Sequence, residues 1–344
     1  MSIWLITCAA ALISLVQGLA LLAQPSAETP VPRVGFDAGC AADLAARLTR
    51  RDPVEIRVLA CEPAGRGLAV IALGDPARAA SVAVLVPGSD IDLSTLEDSS
   101  RPGTRPMDWA RALHEGAGTD SAVVVWVGYP TPVGLGRDAA TGRLARAAVP
   151  ALAQDVARLR GRPDGPPHLT VIGHSYGAVV VSLAASELDA DDLVLVASPG
   201  ARASHVTDLR TSARVWAGRA PRDWLRWIPS MSIGDLGHGV DPSDPSFGAL
   251  PLELSDSPSH DGYFRAGSAS LASLAAVVTG AATGPGLDGG LPAESVLVDS
   301  SRAGTLLALH DNTVEVDAGQ PGRSPRRSSQ ARRHSPGRHR LPEP

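Results

Sequence analysis

The sequence predicts an α/β protein with a mostly parallel central sheet flanked by helices on both faces. Between residues 34 and 280, short apolar runs alternate with alanine-rich segments of helical length. Strands that are apolar on both faces are typical of parallel sheets buried between two layers of helices. These runs end in turns of small residues, and open parallel sheets bind ligands at the carboxyl ends of their strands. We therefore expect the functional site at that edge of the sheet.

The individual elements follow from the apolar runs in chain order. Runs of small and β-branched apolar residues, bounded by turn residues, predict strands over 54–59, 68–73, 81–86, 122–127, 169–172, 193–196, 214–217 and 250–254. The spacing of Leu44 and Leu48 predicts a first helix over 41–50. Alanine-rich segments predict further helices over 141–159, 178–188 and 268–278.

The chain divides into four predicted regions. Residues 1–24 form a signal peptide or a membrane anchor, because residues 3–23 are almost wholly apolar and long enough to cross a bilayer. Residues 34–280 form the α/β domain, 281–317 a C-terminal appendage, and 318–344 a disordered, arginine-rich tail. We expect a secreted or membrane-anchored, extracytoplasmic protein, with residues 3–23 as the membrane contact in the second case.

Charge and cysteine content narrow the function classes. The formal net charge is −5, and residues 318–344 hold seven arginines and one glutamate, so the rest of the chain is strongly acidic. An acidic body argues against nucleic-acid binding. Cys40 and Cys61 either form a disulfide, worth about 3 kcal/mol for a loop of this length in an oxidising compartment, or remain two buried thiols.

A serine motif, Gly173-His174-Ser175-Tyr176-Gly177, follows an apolar run and precedes a helix of small residues. This is the pattern of a nucleophile elbow, in which a serine lies at the apex of a sharp strand-to-helix turn. Such five-residue matches also arise by chance in a glycine-rich chain, so the prediction depends on the flanking strand and helix. The alternative is a serine that simply caps the helix.

A nucleophilic serine needs a base and an acid that orients the base. The expected chain order is serine, acid, histidine. His260 follows the last predicted strand and is the candidate base, while His238, in a long loop, is the second choice. Asp223 lies a few residues past the strand over 214–217 and is the candidate acid. Its competitors are Asp235, Asp241 and Asp244.

The remaining candidate site residues follow from their positions. The expected oxyanion-hole donors are the backbone N–H groups of Tyr176, directly after the serine, and of Ser89, after the strand over 81–86. The insertion between candidate acid and base carries apolar side chains, either as a lid and acyl-binding wall or as packing onto the body. The side chains expected to contact substrate are Trp224, Trp227, Met231 and Phe247.

The sequence also resembles an actinobacterial α/β-hydrolase family catalogued as a domain of unknown function. The resemblance covers about residues 81–280. It rests on Val86-Pro87-Gly88, the run 125–129, the serine motif within 170–177, the segments 238–242 and 247–249, and His260 with Tyr263 and Phe264. It implies an α/β-hydrolase fold with Ser175 as nucleophile, His260 as base and the acid near Asp223. It implies no particular substrate.

Together these features predict a serine hydrolase that acts on small-molecule or lipid esters through an acyl-enzyme intermediate. No cofactor or metal is expected, because the sequence has no clustered histidine and cysteine ligand pattern. Two other interpretations stay open. One is a catalytically idle, hydrolase-like binding module of the cell envelope, and the other is an amidase or peptidase that uses the same triad.

Overall fold

A computed structural model describes residues 34–49, 54–98 and 100–283 of the chain. Within these residues, an eight-stranded sheet forms the centre, and a separate two-stranded hairpin follows the seventh strand in the chain. The strands are β1 (Ile56–Glu62), β2 (Leu68–Leu73), β3 (Ser81–Val86), β4 (Ser121–Val127), β5 (His168–His174), β6 (Asp192–Val196), β7 (Arg214–Gly218), β8 (Ser232–Ile233), β9 (Leu236–Gly237) and β10 (Leu250–Pro251).

The strand order in the sheet is β1-β2-β4-β3-β5-β6-β7-β10. β2 pairs antiparallel with β1 and β4, and all the other neighbours are parallel. The order reverses around β3, which has β4 on one side and β5 on the other. At such a reversal the loops after neighbouring strands diverge and leave a crevice. The topology therefore positions a ligand site at the carboxyl ends of β3 and β5.

Helices cover both faces of this sheet. They are α1 (Ala38–Thr49), α2 (Pro106–Ala117), α3 (Arg137–Ala140), α4 (Arg143–Arg160), α5 (Tyr176–Ala184) and α6 (Ala269–Val278). Side chains of α4 and α5 form a hydrophobic cluster with one face, and those of α1, α2 and α6 with the other. Every residue of β3 and β4 is buried, which explains why neither strand alternates with polar residues. The predicted fold class is confirmed.

Several observed elements differ from the predicted ones, and the hairpin of β8 and β9 has no predicted counterpart. α2 is absent from the sequence prediction, although Pro106 occupies its first turn and Met107 and Leu113 are buried on one side. The predicted helix over 141–159 is the longer α4, preceded by the single turn of α3. The predicted strand over 250–254 is the two-residue β10, which lies at the sheet edge and ends in a proline that has no N–H to donate.

Several predicted regions lie outside the described residues. They are the leader over 1–24, the tail over 318–344 and nearly all of the appendage over 281–317. Within the described ranges, no helix has the length and apolar character needed to cross a membrane. Of the two alternatives for the cysteines, the structure has the disulfide: Cys40 and Cys61 are bonded, with Cα atoms 5.8 Å apart.

A buried carboxylate, Asp192, ties three strands together at the amino-terminal edge of the sheet. It accepts hydrogen bonds from Arg214 Nε and Nη2, both at 2.8 Å, and from Trp216 Nε1 at 2.7 Å. His168 Nε2 lies 2.9 Å away. Burial raises the pKa of Asp192, but the hydrogen bonds from His168, Arg214 and Trp216 outweigh it and hold the pKa below its ordinary value. The charged carboxylate thus joins β5, β6 and β7.

Replacing Asp192 with alanine should lower the free energy of unfolding by about 3 kcal/mol, because the partly buried Arg214 loses its counter-ion and the Trp216 N–H loses its acceptor. Urea denaturation followed by circular dichroism measures the loss. The matched control is Asp189→Ala, since the Asp189 side chain is 73% exposed and pairs with Arg160. Such a surface pair contributes at most about 1 kcal/mol. Equal losses in the two variants would contradict the role assigned to Asp192.

Candidate active site

The turn between β5 and α5 holds Ser175 at the carboxyl edge of the sheet. Its backbone has φ 57° and ψ −125°, a conformation that costs a non-glycine residue on the order of 1–3 kcal/mol. Close packing of neighbouring backbone around the turn holds Ser175 in this conformation. A Cβ at Gly177 would overlap the Val86 carbonyl oxygen, and one at Gly173 would lie 2.5 Å from the Ala178 Cα. The two glycines of the motif are therefore required by the approach of neighbouring backbone.

Three predicted residues from separate loops meet at this turn. His260 Nε2 lies 2.9 Å from Ser175 Oγ, and His260 Nδ1 lies 3.0 Å and 2.9 Å from the two Asp223 carboxylate oxygens. Ser175 follows β5, Asp223 follows β7 and His260 follows β10, so the carboxyl edge of the sheet brings the three loops together. This is the geometry of a serine, a base and an acid that orients the base.

The environment of Asp223 keeps its carboxylate charged. The side chain is fully buried, and it accepts hydrogen bonds from Tyr263 OH at 2.6 Å and Leu225 N–H at 2.9 Å as well as contacting His260. Burial raises the pKa of Asp223, but the hydrogen bonds and charge of its neighbours, chiefly His260, bring it below the ordinary value. A carboxylate opposite Nδ1 favours the tautomer that leaves Nε2 free to accept the Ser175 proton. The sequence patterns did not identify Tyr263 as a donor to the acid.

The alternative acids and base have other partners and do not take part in this arrangement. These partners are Ala139 for His238, Arg202 and Arg146 for Asp235, Arg219 for Asp241, and the Ser246 N–H for Asp244. Asp235 and His238 fix the insertion to the body of the domain, and Asp244 caps a short 3-10 helix. Of the residues that the sequence left in competition, Asp223 and His260 are the pair in contact.

Two backbone N–H groups border the cavity beside the serine. Those of Tyr176 and Ser89 have no acceptor among the described residues, and both residues line the same cavity as Ser175. A Cβ at Gly88 would lie 2.7 Å from the Ser175 Cβ and 3.0 Å from the Tyr176 nitrogen, so the loop after β3 contacts the turn directly. The approach depends on Gly88, which directly precedes the expected donor Ser89 in the loop after β3. The oxyanion role of the two N–H groups stays a prediction.

His174 supports the backbone that carries the candidate base. Its Nε2–H donates to the His260 carbonyl oxygen at 2.8 Å, and its ring lies 4.7 Å from the Trp109 ring. Burial, reinforced by the neighbouring His260 imidazole, lowers the pKa of His174 to about 3. The ring is therefore neutral at pH 7. Sequence reasoning missed this residue, because His174 occupies a position of the motif that any residue can fill.

Two adjoining cavities lie beside the triad. The catalytic cavity, of about 430 Å³, is lined by Ser175 and His260 and has Arg101 and Arg105 on its polar wall. The second cavity, of about 360 Å³, is called the apolar groove below. It is defined by Leu135, Trp224, Ile228, Met231, Ile233 and Leu236. A larger cavity of about 630 Å³ lies beside β1, β2 and α4 and contains no triad residue, so volume alone does not indicate the site.

Of the four residues predicted to contact substrate, two line the adjoining cavities and two do not. Trp224 lines both adjoining cavities, with its ring 5.3 Å from the His260 ring, and Met231 lines the apolar groove. Trp227 lines neither cavity and is 74% exposed. The prediction was wrong for Phe247, which is fully buried in the core because the short helix that carries it packs onto the body. The insertion thus supplies both cavity wall and core packing.

One group in the described part of the chain has donor atoms suitably placed for a metal ion. His174, His260 and Asp261 have such atoms within 4.8 Å of one another. His174 donates its Nε2–H to a carbonyl oxygen, and both nitrogens of His260 contact Ser175 or Asp223. These contacts fit a proton-transfer site better than a metal centre.

A serine on the turn after the central strand of such a sheet is the defining feature of the α/β-hydrolase class. Comparison with known families agrees with that class. The family model described as alpha/beta hydrolase matches residues 62–233, half of the chain, and the chain belongs to this family. The matched range includes Ser175 and Asp223 and ends before His260.

The curated relatives are longer proteins. Uncharacterized proteins from two strains of Mycobacterium tuberculosis are each 32% identical over 276 residues, covering 68% of this chain and 41% of the relative. The chain thus spans about two fifths of the length of these relatives. An α/β serine hydrolase without lid from Xanthomonas campestris is 22% identical, covers 66% of this chain and 93% of its own, and has a TM-score of 0.40. An esterase from Pseudomonas putida is 13% identical, covers 70% of this chain and 88% of its own, and has a TM-score of 0.38.

The buried, neutral His174 predicts a pH dependence of stability. Its native pKa of about 3 lies below the ordinary value of 6.5, so between these pH values the unfolded chain binds the extra proton. Stability should therefore fall as the pH drops through this window, by up to about 1.4 kcal/mol per pH unit from this residue. In urea unfolding, the His174→Gln variant should lose that part of the slope.

Ser175→Ala is the control for this measurement, because it retains the buried imidazole and should keep the wild-type slope. If His174→Gln shows the full wild-type slope, His174 is not the group that takes up the proton, and its assignment as a buried neutral histidine is wrong.

Proposed function

We propose that this protein is a serine hydrolase that cleaves carboxylic esters by way of an acyl-enzyme on Ser175. The observation that carries the proposal is the continuous chain of contacts from Ser175 Oγ through His260 to Asp223, with links of 2.9 and 3.0 Å. A serine hydroxyl is a weak nucleophile at neutral pH, and this chain supplies both the base and the group that orients it. The adjoining cavity of about 430 Å³ has room for a small ester.

In the proposed acylation step, His260 Nε2 takes the hydroxyl proton as Ser175 Oγ attacks the ester carbonyl carbon. Asp223 accepts the hydrogen bond from Nδ1–H and stabilises the imidazolium without taking the proton. The N–H groups of Tyr176 and Ser89, which have no acceptor among the described residues, donate to the oxyanion. The carbon–oxygen bond then breaks, and His260 gives its proton to the departing alcohol.

Deacylation repeats these roles with water as the nucleophile. His260 takes a proton from water as the water oxygen attacks the acyl carbonyl carbon, and it returns a proton to Ser175 Oγ when the acid leaves. Both steps need Oγ to point out of the sheet edge into the cavity. The positive φ of Ser175 supports this arrangement, since it turns the side chain away from the helix that begins at the next residue.

The two other interpretations differ in what the site does. An idle binding module is expected to have its histidine out of reach of the serine or of a carboxylate, whereas both contacts here are at hydrogen-bond distance. An amidase or peptidase would use the same three residues. We favour esters, because the apolar groove suits an aliphatic chain, while an extended peptide needs hydrogen-bonding partners along its path.

The proposal predicts that a fluorophosphonate probe labels the wild type and leaves Ser175→Ala unlabelled. With p-nitrophenyl butyrate, kcat should fall by about 10⁴-fold or more in Ser175→Ala and His260→Ala, as for other members of such triads. Asp223→Asn should lower kcat by about 10³- to 10⁴-fold, because the amide favours the wrong tautomer of His260. Stopped-flow and steady-state assays measure these losses.

Asp244→Asn is the matched control for the acid, since Asp244 is an exposed carboxylate of the same insertion that caps a short helix. Its kcat should stay within about twofold of the wild type. Labelling that persists in Ser175→Ala would refute the nucleophile, and full activity of His260→Ala would refute the base. Faster cleavage of p-nitroanilides than of the matching esters would favour the amidase.

We also propose that the protein acts outside the cytoplasm, either secreted or membrane-anchored. The apolar run over 3–23 and the disulfide between Cys40 and Cys61 support this, because disulfides persist in oxidising compartments. Non-reducing mass spectrometry of protein from the medium and the membrane fraction should detect the linked peptides. Recovery from the cytosol with both thiols free would contradict the proposal.

A further inference from the structure

Exposed apolar side chains concentrate around one feature of the surface. Ten large apolar residues are exposed in the described part of the chain, and six of them line the apolar groove. Single exposed apolar residues need no explanation, but a contiguous set marks a binding surface. The remaining four are Phe36, Leu59, Val133 and Trp227. An apolar ligand would therefore bury more exposed apolar surface in the groove than elsewhere on the described part of the chain.

The apolar groove is continuous with the catalytic cavity. Five residues line both: Leu135, Ala139, Pro199, Trp224 and Leu225. Trp224 lies at the junction, with its ring 5.3 Å from the His260 ring. A ligand whose reacting carbonyl group lies at Ser175 can thus extend directly along the groove. The part of the ligand in the groove is therefore the chain attached to that carbonyl group.

The wall of the groove is held in place by buried ion pairs. Asp235 lies in the turn between β8 and β9. Its Oδ1 forms ion pairs with Arg202 Nη2 at 2.7 Å and Arg146 Nη2 at 2.8 Å. Leu236 also forms a β-bridge with Thr141. These contacts form the groove before any ligand binds, so little conformational entropy is lost on binding.

We propose that the apolar groove binds the aliphatic acyl chain of the substrate, which makes the preferred substrates medium-chain acyl esters. This inference rests on the proposed serine hydrolase function. At the packing density of protein interiors a methylene occupies roughly 25 Å³, so a groove of about 360 Å³ has an upper limit of about 14 carbons, and a chain on the order of ten carbons fits within it.

Polar residues of the catalytic cavity orient the ester. Asp90, Arg101, Thr104, Arg105 and Asp261 line the catalytic cavity but not the apolar groove, and Arg105 Nε is buried with no hydrogen-bond partner among the described residues. Charged and hydroxyl groups would be desolvated at a cost by an aliphatic chain. The polar alcohol group therefore lies among these residues, and the acyl chain lies in the groove.

A series of alkyl fluorophosphonates, from two to sixteen carbons and used below micelle-forming concentrations, tests the groove. Labelling forms a bond from Ser175 Oγ to phosphorus, releases fluoride and passes the serine proton to His260. For the wild type, the second-order rate constant should rise about two- to fourfold per methylene up to roughly ten carbons and then level off. A chain-length profile that is flat or falls from two carbons would overturn the inference.

Ile233→Glu places a charge in the groove at a residue that is 45% exposed, so folding is little affected. Its rate constant should fall at least about tenfold for the ten-carbon probe and much less for the two-carbon probe, which is too short to fill the groove. The matched control is Leu59→Glu, at a residue that is 41% exposed and lines the larger cavity, which shares no residue with the groove, and it should keep the wild-type profile. Equal effects of the two substitutions would refute the groove as the chain site.

Ala140→Trp narrows the groove, so the rate constant should level off at a shorter chain length, with a much smaller change for the two-carbon probe. A profile that still levels off at about ten carbons would contradict the inference. Calorimetry of decanoate binding to Ser175→Ala tests the groove independently of the proposed nucleophile. If decanoate binds, the additional substitution Ile233→Glu abolishes binding, and no probe labels the wild type, the groove is upheld and the nucleophile is refuted. If the probes label Ser175 of the wild type at a rate independent of chain length, and decanoate does not bind, the nucleophile is upheld and the groove is refuted.

Discussion

The close approach of three backbone segments around Ser175 is the constraint on which the site depends. β5 turns into α5 within one residue, and the loop after β3 packs against that turn. Gly173 and Gly177 allow the turn to close, and Gly88 allows the loop to reach the serine. The strain at Ser175 is balanced by the packing of a sheet that is buried on both faces. The same contacts bring Ser175, Tyr176 and Ser89 to the lining of one cavity.

The charges near this point are arranged so that a single proton acceptor faces the serine. Asp223 is buried among donors that keep it ionised, whereas His174, with its ring 4.8 Å from the ring of His260, is kept neutral by burial. His174 therefore holds the His260 backbone without adding a second positive charge when His260 takes up a proton. Tyr263 completes the site by donating to the carboxylate from the segment that also carries the base. At the amino-terminal edge of the sheet, Asp192 joins β5, β6 and β7, and two of these strands, β5 and β7, lead into the loops of Ser175 and Asp223.

The sequence was sufficient for the fold class and for the residues that meet at the centre of the site. Apolar strands of a buried sheet are visible in one dimension, and the order of Ser175, Asp223 and His260 follows from the strands they succeed. The role of His174 depends on what its ring touches, which no local pattern reveals. The prediction that Phe247 contacts substrate was wrong for the same reason, because an aromatic residue in an insertion can face either the core or the cavity. The apolar groove was predicted in part, since the sequence assigned Trp224 and Met231 of the insertion to an acyl-binding wall. The contribution of Leu135 and of Ala139 on α3 could not be predicted, because these residues are distant in the sequence from the insertion.

Rapid-quench mass spectrometry of the wild type mixed with p-nitrophenyl butyrate tests the central claim most directly. The account predicts that one butyryl group appears on the peptide containing Ser175 before steady state, in step with a burst of p-nitrophenol. Steady release of p-nitrophenol with no covalent intermediate, or an acyl group on any other residue, would contradict it.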